Sequence, residues 1–256
     1  MTSSSESLWK QHNYEVRRTE DGSPSLQWLG EGHDETMHHS GGAWTETWYI
    51  YGEALKAGIE QGGARVLSVG LGLGYNEFLS TRLSLEAKAP IEIHSHEKDP
   101  FLVQEFLGFI ENQVSSPSEI LAIYSSLLSF VAPPVEKSQI LTSLAHKKIT
   151  GEFQIRGPLA WESFKQAEKY SMILYDAFSS KASPELWQED FLNKFIEVYS
   201  EEKCIFTTYA CTGALKRALK KNDFKVIERR GFQGKKSSTI ATRGFILEPG
   251  LIRGIS

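Results

Sequence analysis

Three glycines and two carboxylates are the strongest candidates for ligand binding and catalysis in this sequence. Gly70, Gly72 and Gly74 follow an apolar, β-branched run and precede an amphipathic stretch. Glycine lets a backbone turn sharply and lie against a bulky ligand, where a Cβ would collide with it. Glu97 and Asp176 each end a predicted strand, and ligands of open α/β sheets bind outside the carboxyl ends of the strands. The pattern predicts a site for an adenosine-like ligand.

The spacing of the glycines narrows the choice of ligand. The dinucleotide fingerprint G-x-G-x-x-G needs a third glycine where this chain has Tyr75 or Glu77, depending on the register. That mismatch argues against a nicotinamide oxidoreductase. The observed G-x-G-x-G is the pattern of Rossmann-like methyltransferases that use S-adenosylmethionine. A glycine-rich turn that binds no ligand is the alternative interpretation.

Each carboxylate has a functional and a structural interpretation. Glu97 stands where the acidic residue of a Rossmann site accepts the hydroxyl protons of a ribose, or it is a solvated loop acid beside Lys98 and Asp99. Asp176 is placed to hold an amine nucleophile or to accept its proton, or it forms a turn. We expect Asp176 to be the catalytic residue.

An α/β sheet is needed to position these side chains. The predicted strands cover residues 65–69, 91–97, 152–156, 171–176, 203–209, 224–228 and 238–242, and the last two pair antiparallel. A helix follows the glycines, and others are predicted over residues 100–112, 161–167, 184–200 and 213–221. Residues 115–150 are expected to hold one or two short helices. Alternating strands and helices predict a class I methyltransferase sheet, mostly parallel with a C-terminal antiparallel hairpin.

The first 60 residues are expected to lie outside that sheet. Alternating segments between residues 14 and 29 flank a turn and predict a β-hairpin, and a helix ends near Gly58. We therefore divide the chain into an N-terminal extension, residues 1–60, and a methyltransferase domain, residues 61–256.

Composition indicates the class of protein and the compartment in which we expect it. The 256 residues are 40% hydrophobic and 23% charged, which is ordinary for a globular protein. No apolar run reaches the length of a membrane span, and the N-terminus carries no signal peptide. With Cys204 and Cys211 as the two cysteines, this indicates a cytoplasmic protein. The histidines form no metal-binding motif, so we expect no metal.

Basic residues are concentrated near the C-terminus although the net charge is −4. Such a cluster could bind a phosphate backbone, so we expect an RNA contact there; a solvated helix and hairpin is the alternative. The residues concerned are Lys216, Arg217, Lys220, Lys221, Lys225, Arg229, Arg230, Lys235 and Lys236.

Several segments resemble the methyltransferase domain of MnmC, the bacterial enzyme of tRNA wobble-uridine modification, and its stand-alone relatives. VGLGLGYNEFL is similar to the cofactor loop of that family, and IHSHEKDP to its second strand with Glu97 in the ribose position. The most specific similarity is LYDAFSSKASPELWQEDF. TTYACTGALKRALKKNDFKVIERRGFQGKK follows the family's strand, basic helix and hairpin.

The resemblance implies methyl transfer from S-adenosylmethionine to the exocyclic amine of a 5-aminomethyl-(2-thio)uridine in tRNA. It implies that Asn76 contacts the cofactor, that Asp176 lies at the active site and that Phe178 contacts the substrate. The family has a Gly-Asp pair that reaches the adenine, whereas this chain has Gly157 followed by Pro158. We assign Gly157 to the cofactor site, and the residue that contacts the adenine stays open. The FAD-dependent oxidase domain of the family has no counterpart in these residues.

Two alternatives to a tRNA methyltransferase remain open. The acceptor could be an amine of a small molecule or of a protein, in which case binding of tRNA would be absent or insensitive to salt. A non-catalytic RNA-binding module would retain the fold but would not bind S-adenosylmethionine.

Overall fold

The computed structural model describes residues 7–30, 33–111, 118–234 and 237–247. Its ten strands form a small N-terminal sheet and a larger central sheet. The N-terminal sheet contains β1 (Tyr14–Arg18), β2 (Pro24–Gly30) and β3 (His33–Thr36). The central sheet contains β4 (Arg65–Val69), β5 (Glu92–His96), β6 (Phe153–Arg156), β7 (Tyr170–Tyr175), β8 (Ser200–Thr208), β9 (Lys225–Arg230) and β10 (Ser237–Arg243).

Helices cover both faces of the central sheet. They are α1 (Leu8–Gln11), α2 (Ala43–Thr47), α3 (Glu53–Glu60), α4 (Tyr75–Ala87), α5 (Pro100–Ile110), α6 (Ser118–Val131), α7 (Lys137–Thr150), α8 (Glu189–Tyr199) and α9 (Gly213–Lys221). None of these helices is long and apolar enough to cross a membrane.

The central sheet has the strand order β6-β5-β4-β7-β8-β10-β9. Strands β4 to β8 pair in parallel, and β10 pairs antiparallel with both β8 and β9. The predicted methyltransferase-type sheet is therefore confirmed, including its antiparallel C-terminal pair. The strand order reverses between β4 and β7, and such a reversal leaves a crevice at the carboxyl ends of the two strands. The glycines follow β4 and Asp176 follows β7.

Several predicted helices are shorter or less regular than expected. The predicted helix 161–167 is a 3-10 helix, Trp161–Gln166. The predicted helix 184–200 is divided at Gln188, whose extended backbone separates the 3-10 helix Pro184–Trp187 from α8. The segment before the glycine unit contains a π-helical turn, Trp48–Gly52, between α2 and α3.

The predicted N-terminal hairpin is confirmed as the antiparallel pair of β1 and β2, and β3 adds a third strand to it. Trp9, Tyr14 and Leu26 are buried in the same hydrophobic cluster as Phe78 of α4 and Phe106 of α5. The small sheet therefore packs directly onto the central domain. Our division at residue 60 stays a prediction, because shared packing does not define a domain boundary.

Residues 118–150 form two helices that belong to the scaffold. Ile120 and Tyr124 of α6 and Ile140 and Leu144 of α7 are wholly buried in the cluster that contains Phe106. At about 25 cal/mol per Å² of buried apolar surface, these side chains stabilise the outer layer over α4 and α5. Neither helix supplies a residue to the cavity described below.

Candidate active site

A cavity of about 550 Å³ lies at the carboxyl ends of β4, β5 and β7. Its wall includes Gly70 and Gly72 after β4, Glu97 after β5 and Asp176 after β7. The predicted glycine loop and both predicted carboxylates thus line one space. A cavity of this size at the reversal of strand order is a typical small-ligand site.

The three glycines of the loop are required for different reasons: at Gly70 and Gly74 a Cβ would collide with the protein itself, and at Gly72 it would enter the cavity. A Cβ on Gly70 would lie 2.6 Å from the carbonyl oxygen of Asp176, and a Cβ on Gly74 would lie 2.1 Å from the ring of Phe106. Gly72 has a φ of +53°, and its Cβ would point toward Sδ of Met37, which is also a wall residue. The absent side chain at Gly72 therefore leaves room for a ligand.

Glu97 is held against the glycine loop by backbone N–H groups. Leu71 and Gly72 each donate to Oε2 at 3.1 Å, and Lys98 and Asp99 donate to Oε1 at 2.7 and 2.9 Å. Burial raises the pKa of the Glu97 carboxyl, although these N–H groups act in the opposite direction. An acceptor-only side chain fixed at the cavity wall is suited to receive the hydroxyl protons of a ribose.

Asp176 is oriented by two side chains from different parts of the chain. The Tyr51 hydroxyl donates to Oδ1 at 2.6 Å, and Nδ2 of Asn76 donates to Oδ2 at 3.2 Å. Tyr51 is buried, and burial raises the pKa of its hydroxyl well above the usual value, with the charge of Asp176 adding to the effect. The hydroxyl therefore stays protonated and remains a donor. The hydrogen bonds from Tyr51 and Asn76 together hold the Asp176 carboxylate at the cavity wall.

Asn76, which we predicted to contact the cofactor, forms its side-chain hydrogen bond with Asp176. Its side chain lines the cavity, as a cofactor contact would require, but its amide hydrogen bond goes to Asp176. Asn76 therefore supports the predicted catalytic residue, and its contact with a cofactor stays a prediction.

The N-terminal segment supplies a wall of the cavity that sequence reasoning missed. Glu35, Met37, His38 and Glu46 line it together with Tyr51. No local motif marks these residues, because they meet the glycine loop only through the packing of the small sheet. Their polar, loop-like sequence was compatible with a solvated surface.

Glu35 connects the small sheet to the loop after Asp176 through hydrogen bonds. Its carboxylate accepts hydrogen bonds from the backbone N–H of Ser179 at 2.8 Å and from the Ser179 hydroxyl at 2.7 Å. The neighbouring Phe178 lines the cavity, and its ring lies 6.0 Å from that of Trp28 on β2. Phe178 therefore lines the cavity beside Asp176 with Trp28 of the N-terminal sheet near its ring, and its contact with a substrate stays a prediction.

The wall beside Glu97 contains His96, Pro158 and Leu159. Gly157 is not among the described residues that line the cavity, but its carbonyl oxygen lies 2.9 Å from Nδ1 of His96. A Cβ on Gly157 would meet no atom within 4 Å, so the site does not require a glycine there. Burial lowers the pKa of His96, which favours the neutral ring. Pro158 and Leu159, rather than Gly157, form the apolar surface at this end.

One predicted RNA-binding residue is wrong. Arg229 has no exposed surface, donates to the carbonyl of Ile50 at 2.7 Å and to Oγ of Ser238 at 3.1 Å, and lies 4.7 Å from the ring centre of Tyr49. It fixes β9 and β10 to the π-helical turn and cannot reach a phosphate. The sequence did not reveal the burial of Arg229, because a run of basic residues does not show which of its side chains is covered by another segment.

The other basic residues that we predicted to bind RNA differ in exposure and in pairing. Arg217 is exposed and forms an ion pair with Glu189 at 2.6 Å, which compensates part of its charge. Arg230 is exposed, and Lys216 is half-buried. Lys235 and Lys236 lie outside the described residues.

Within the described ranges, no group of three or more histidine, cysteine, aspartate or glutamate side chains is placed to hold a metal ion. The groups that the cavity wall presents to a ligand include the carboxylates of Glu97 and Asp176. These groups suit a neutral or cationic organic ligand with hydroxyl and amine donors.

Comparison with known proteins agrees with the geometry of the site. Residues 159–244 match the model of an S-adenosyl-L-methionine-dependent methyltransferase family. An uncharacterised protein of Methanocaldococcus jannaschii is 22% identical over 251 residues, and the match covers 93% of this chain. The chain spans about 62% of the length of that relative.

The crystal structure of MnmC2 from Aquifex aeolicus has a similar fold. It aligns with a TM-score of 0.62 and 25% sequence identity, over 94% of this chain and 74% of the Aquifex chain. The matched family model spans β7 to β10 and so includes Asp176. The strand order, the glycine loop with its two carboxylates and these similarities lead to one conclusion. The chain contains an S-adenosylmethionine-dependent methyltransferase domain that is similar in fold to MnmC2.

Proposed function

We propose that this chain methylates the exocyclic amine of 5-aminomethyl-(2-thio)uridine at the wobble position of tRNA. The observation that carries the proposal is the Asp176 carboxylate, which lines the cavity and is oriented by Tyr51 and Asn76. The structural similarity to MnmC2 and the MnmC-like segments support this choice of acceptor. We include in the proposal a cytoplasmic location, where tRNA is modified.

The residues of the cavity can align an amine and remove its proton. When bound, S-adenosylmethionine supplies an electrophilic methyl group on a positively charged sulfur. The attacking amine must be neutral, and Asp176 can accept a hydrogen bond from its N–H so that the nitrogen lone pair is directed into the cavity. As the new N–C bond forms and the methyl–sulfur bond breaks, the nitrogen becomes cationic, and Asp176 can take the surplus proton. Tyr51 and Asn76 keep the carboxylate in place throughout.

Glu97 and Gly72 form the cofactor half of the proposed site. The backbone N–H groups of Leu71 and Gly72 fix the Glu97 carboxylate, which would accept protons from the ribose hydroxyls. Gly72 keeps the adjoining space free of a side chain. Leu159 and Pro158 offer an apolar surface to the adenine ring.

The hairpin between β9 and β10 lies close to the N-terminal wall of the cavity. The ring of Phe232 is 5.7 Å from His39 and 6.0 Å from Tyr49, and the Tyr49 hydroxyl donates to the carbonyl of Arg230 at 2.6 Å. Exposed basic residues near this hairpin would therefore contact the tRNA backbone while the modified base enters the cavity. We assign this contact to Arg230, with Lys216, Arg217, Lys235 and Lys236 as further candidates.

Transfer of a labelled methyl group tests the proposal. We expect incorporation into tRNA that carries 5-aminomethyl-2-thiouridine and none into the same tRNA without the aminomethyl group. Asp176→Ala should retain cofactor affinity within about tenfold while turnover falls strongly. If Asp176→Ala kept its turnover, Asp176 would be a structural turn residue and the reacting end would lie elsewhere.

A methyltransferase of a small-molecule or protein amine is the second candidate. The observations that favour it are the burial of Arg229 and the pairing of Arg217 with Glu189, which both weaken the proposed basic surface. Binding of tRNA that is absent, or that does not weaken as salt increases, would favour this candidate.

A further inference from the structure

Three side chains from separate elements meet where the cavity opens to solvent. Lys98 follows β5 and Phe178 follows β7, and both line the cavity. Nζ of Lys98 lies 5.5 Å from the ring centre of Trp28 on β2 and 5.5 Å from that of Phe178. At such a distance the face of an aromatic ring attracts an ammonium group. Lys98 is exposed and both rings are half-buried. We call Trp28, Lys98 and Phe178 the aromatic–lysine rim.

The small N-terminal sheet holds Trp28 over the loop after Asp176. Trp28 pairs with Glu35 of β3, so the two side chains lie on the same face of that sheet. The Glu35 carboxylate accepts hydrogen bonds from Ser179, the neighbour of Phe178. The same strand pair therefore brings the Trp28 ring to 6.0 Å from the Phe178 ring.

Further contacts within the protein position the other parts of the rim. The backbone N–H of Lys98 donates to Oε1 of Glu97 at 2.7 Å. A Cβ on Gly30 would lie 2.4 Å from the indole of Trp28, so the indole packs against a residue that has no side chain. The lysine and the two rings are thus placed at the opening by the fold itself.

The described cavity wall carries its cations at the opening and other carboxylates further inside. Glu46 is buried and Asp176 is half-buried. Lys98 and Lys181 are exposed, and neither ammonium group forms an ion pair within the residues that the structure describes. The exposed Glu185 of the same wall offsets one of these two charges. A complementary ligand has an amine inside the cavity and a negative charge outside it, as does a nucleotide with an amine on its base and phosphates on its backbone.

We propose that the aromatic–lysine rim binds the RNA strand beside the acceptor nucleotide, with Lys98 on a phosphate and Trp28 and Phe178 stacked against a neighbouring base. A lysine ammonium is a point charge that suits phosphate, and aromatic faces stack on any base, so the contact requires no particular sequence. Phe178 follows Asp176 by two residues, which span at most about 7 Å. The neighbouring base therefore comes within reach of the rim when the amine lies at Asp176. This inference rests on the proposed function and adds a second RNA contact to that of the basic hairpin.

Fluorescence anisotropy of a labelled anticodon stem-loop RNA tests the rim without turnover. The RNA is unmodified and S-adenosylhomocysteine is present at saturation, so no methyl transfer takes place. Lys98→Met should lower the RNA affinity about tenfold at about 50 mM salt and reduce the slope of log affinity against log salt by about one. Trp28→Leu keeps an apolar side chain but removes the ring, and it should lower the affinity about tenfold with the slope unchanged.

Lys88→Met is the matched control. Lys88 is an exposed lysine at the C-terminal end of α4, outside the described wall of the cavity, and its variant should keep the parent affinity and slope. Lys98→Met should bind S-adenosylhomocysteine within about twofold of the parent protein. RNA affinity and salt slope that are unchanged in Lys98→Met would overturn the proposal. Loss of cofactor affinity in Lys98→Met would also overturn it, because Lys98 would then bind the carboxylate of the cofactor. Lys98 is exposed, so its variant decides the matter even if Trp28→Leu does not fold.

The rim and the proposed function fail in different experiments. A parent protein that binds RNA through Lys98 but transfers no methyl group to aminomethyl tRNA would contradict the proposed acceptor and support the rim. Methylation of aminomethyl tRNA with the same KM in the parent and Lys98→Met proteins would support the acceptor and contradict the rim.

Discussion

The Tyr51→Phe substitution removes one hydroxyl from the centre of the proposed site and changes little else. Tyr51 is buried in the π-helical turn, and its hydroxyl donates to Oδ1 of Asp176 at 2.6 Å. Phenylalanine retains the ring and its packing. The carboxylate then keeps the hydrogen bond from Asn76, which is longer at 3.2 Å. We expect Asp176 to lose its fixed orientation while the cofactor side of the cavity is unchanged.

The strength of the lost hydrogen bond sets the size of the effect. A hydrogen bond to a charged group contributes about 1.5–3 kcal/mol. If Asp176 must be oriented only when the amine reacts, this loss acts on the transition state and reduces kcat by about 10- to 150-fold. The dissociation constant of S-adenosylmethionine should change by less than about twofold, because backbone N–H groups and not Tyr51 hold Glu97 in place.

Single-turnover methyl transfer at saturating substrates, combined with calorimetry, measures both quantities. Tyr199→Phe is a matched control, because this buried tyrosine donates to the carbonyl of Ser163 at 3.3 Å, outside the described wall of the cavity. We expect the control to retain the parent kcat. A Tyr51→Phe enzyme with parent turnover, or one that loses cofactor affinity instead, would refute the role given to the Tyr51–Asp176 contact.

The remaining predictions concern the cofactor loop, the basic residues and the N-terminal wall. Gly72→Val should abolish binding of S-adenosylmethionine in calorimetry, whereas Gly157→Ala should bind within about twofold; equal affinities would contradict the placement of the loop. Arg229→Met should lower the free energy of unfolding in urea by about 3 kcal/mol, while Arg230→Ala should leave stability unchanged and reduce the salt dependence of tRNA binding. Equal stability of these two variants would contradict the structural role of the buried arginine. Glu35→Ala should raise KM for the acceptor with no change in cofactor affinity, and an unchanged KM would show that the tie to the catalytic loop is dispensable.

The cofactor side of the site could be predicted from the sequence because its signals are local. The glycines directly follow a buried strand, and Glu97 and Asp176 each stand at a strand end, so the topology of a parallel sheet brings them to one edge. The fold class followed from the same alternation of strands and helices. The register of the glycines was sufficient to separate this site from a dinucleotide site.

The acceptor side could not be predicted because its contacts join distant parts of the chain. Tyr51 and Asp176 are 125 residues apart, and Glu35 and Ser179 are 144 residues apart. No periodicity or spacing encodes such pairs; they depend on how the small sheet packs over the central one. The burial of Arg229 has the same origin, since its partner Ile50 is 179 residues away.

Transfer of a labelled methyl group to tRNA, with and without a 5-aminomethyl-2-thiouridine at the wobble position, tests the central claim most directly. The account predicts that the parent protein methylates only the aminomethyl tRNA, and that Asp176→Ala binds S-adenosylmethionine but transfers almost no label. A parent protein that binds S-adenosylmethionine tightly yet leaves the aminomethyl tRNA unlabelled would contradict the proposed acceptor. Transfer that survives in Asp176→Ala would contradict the proposed catalytic residue.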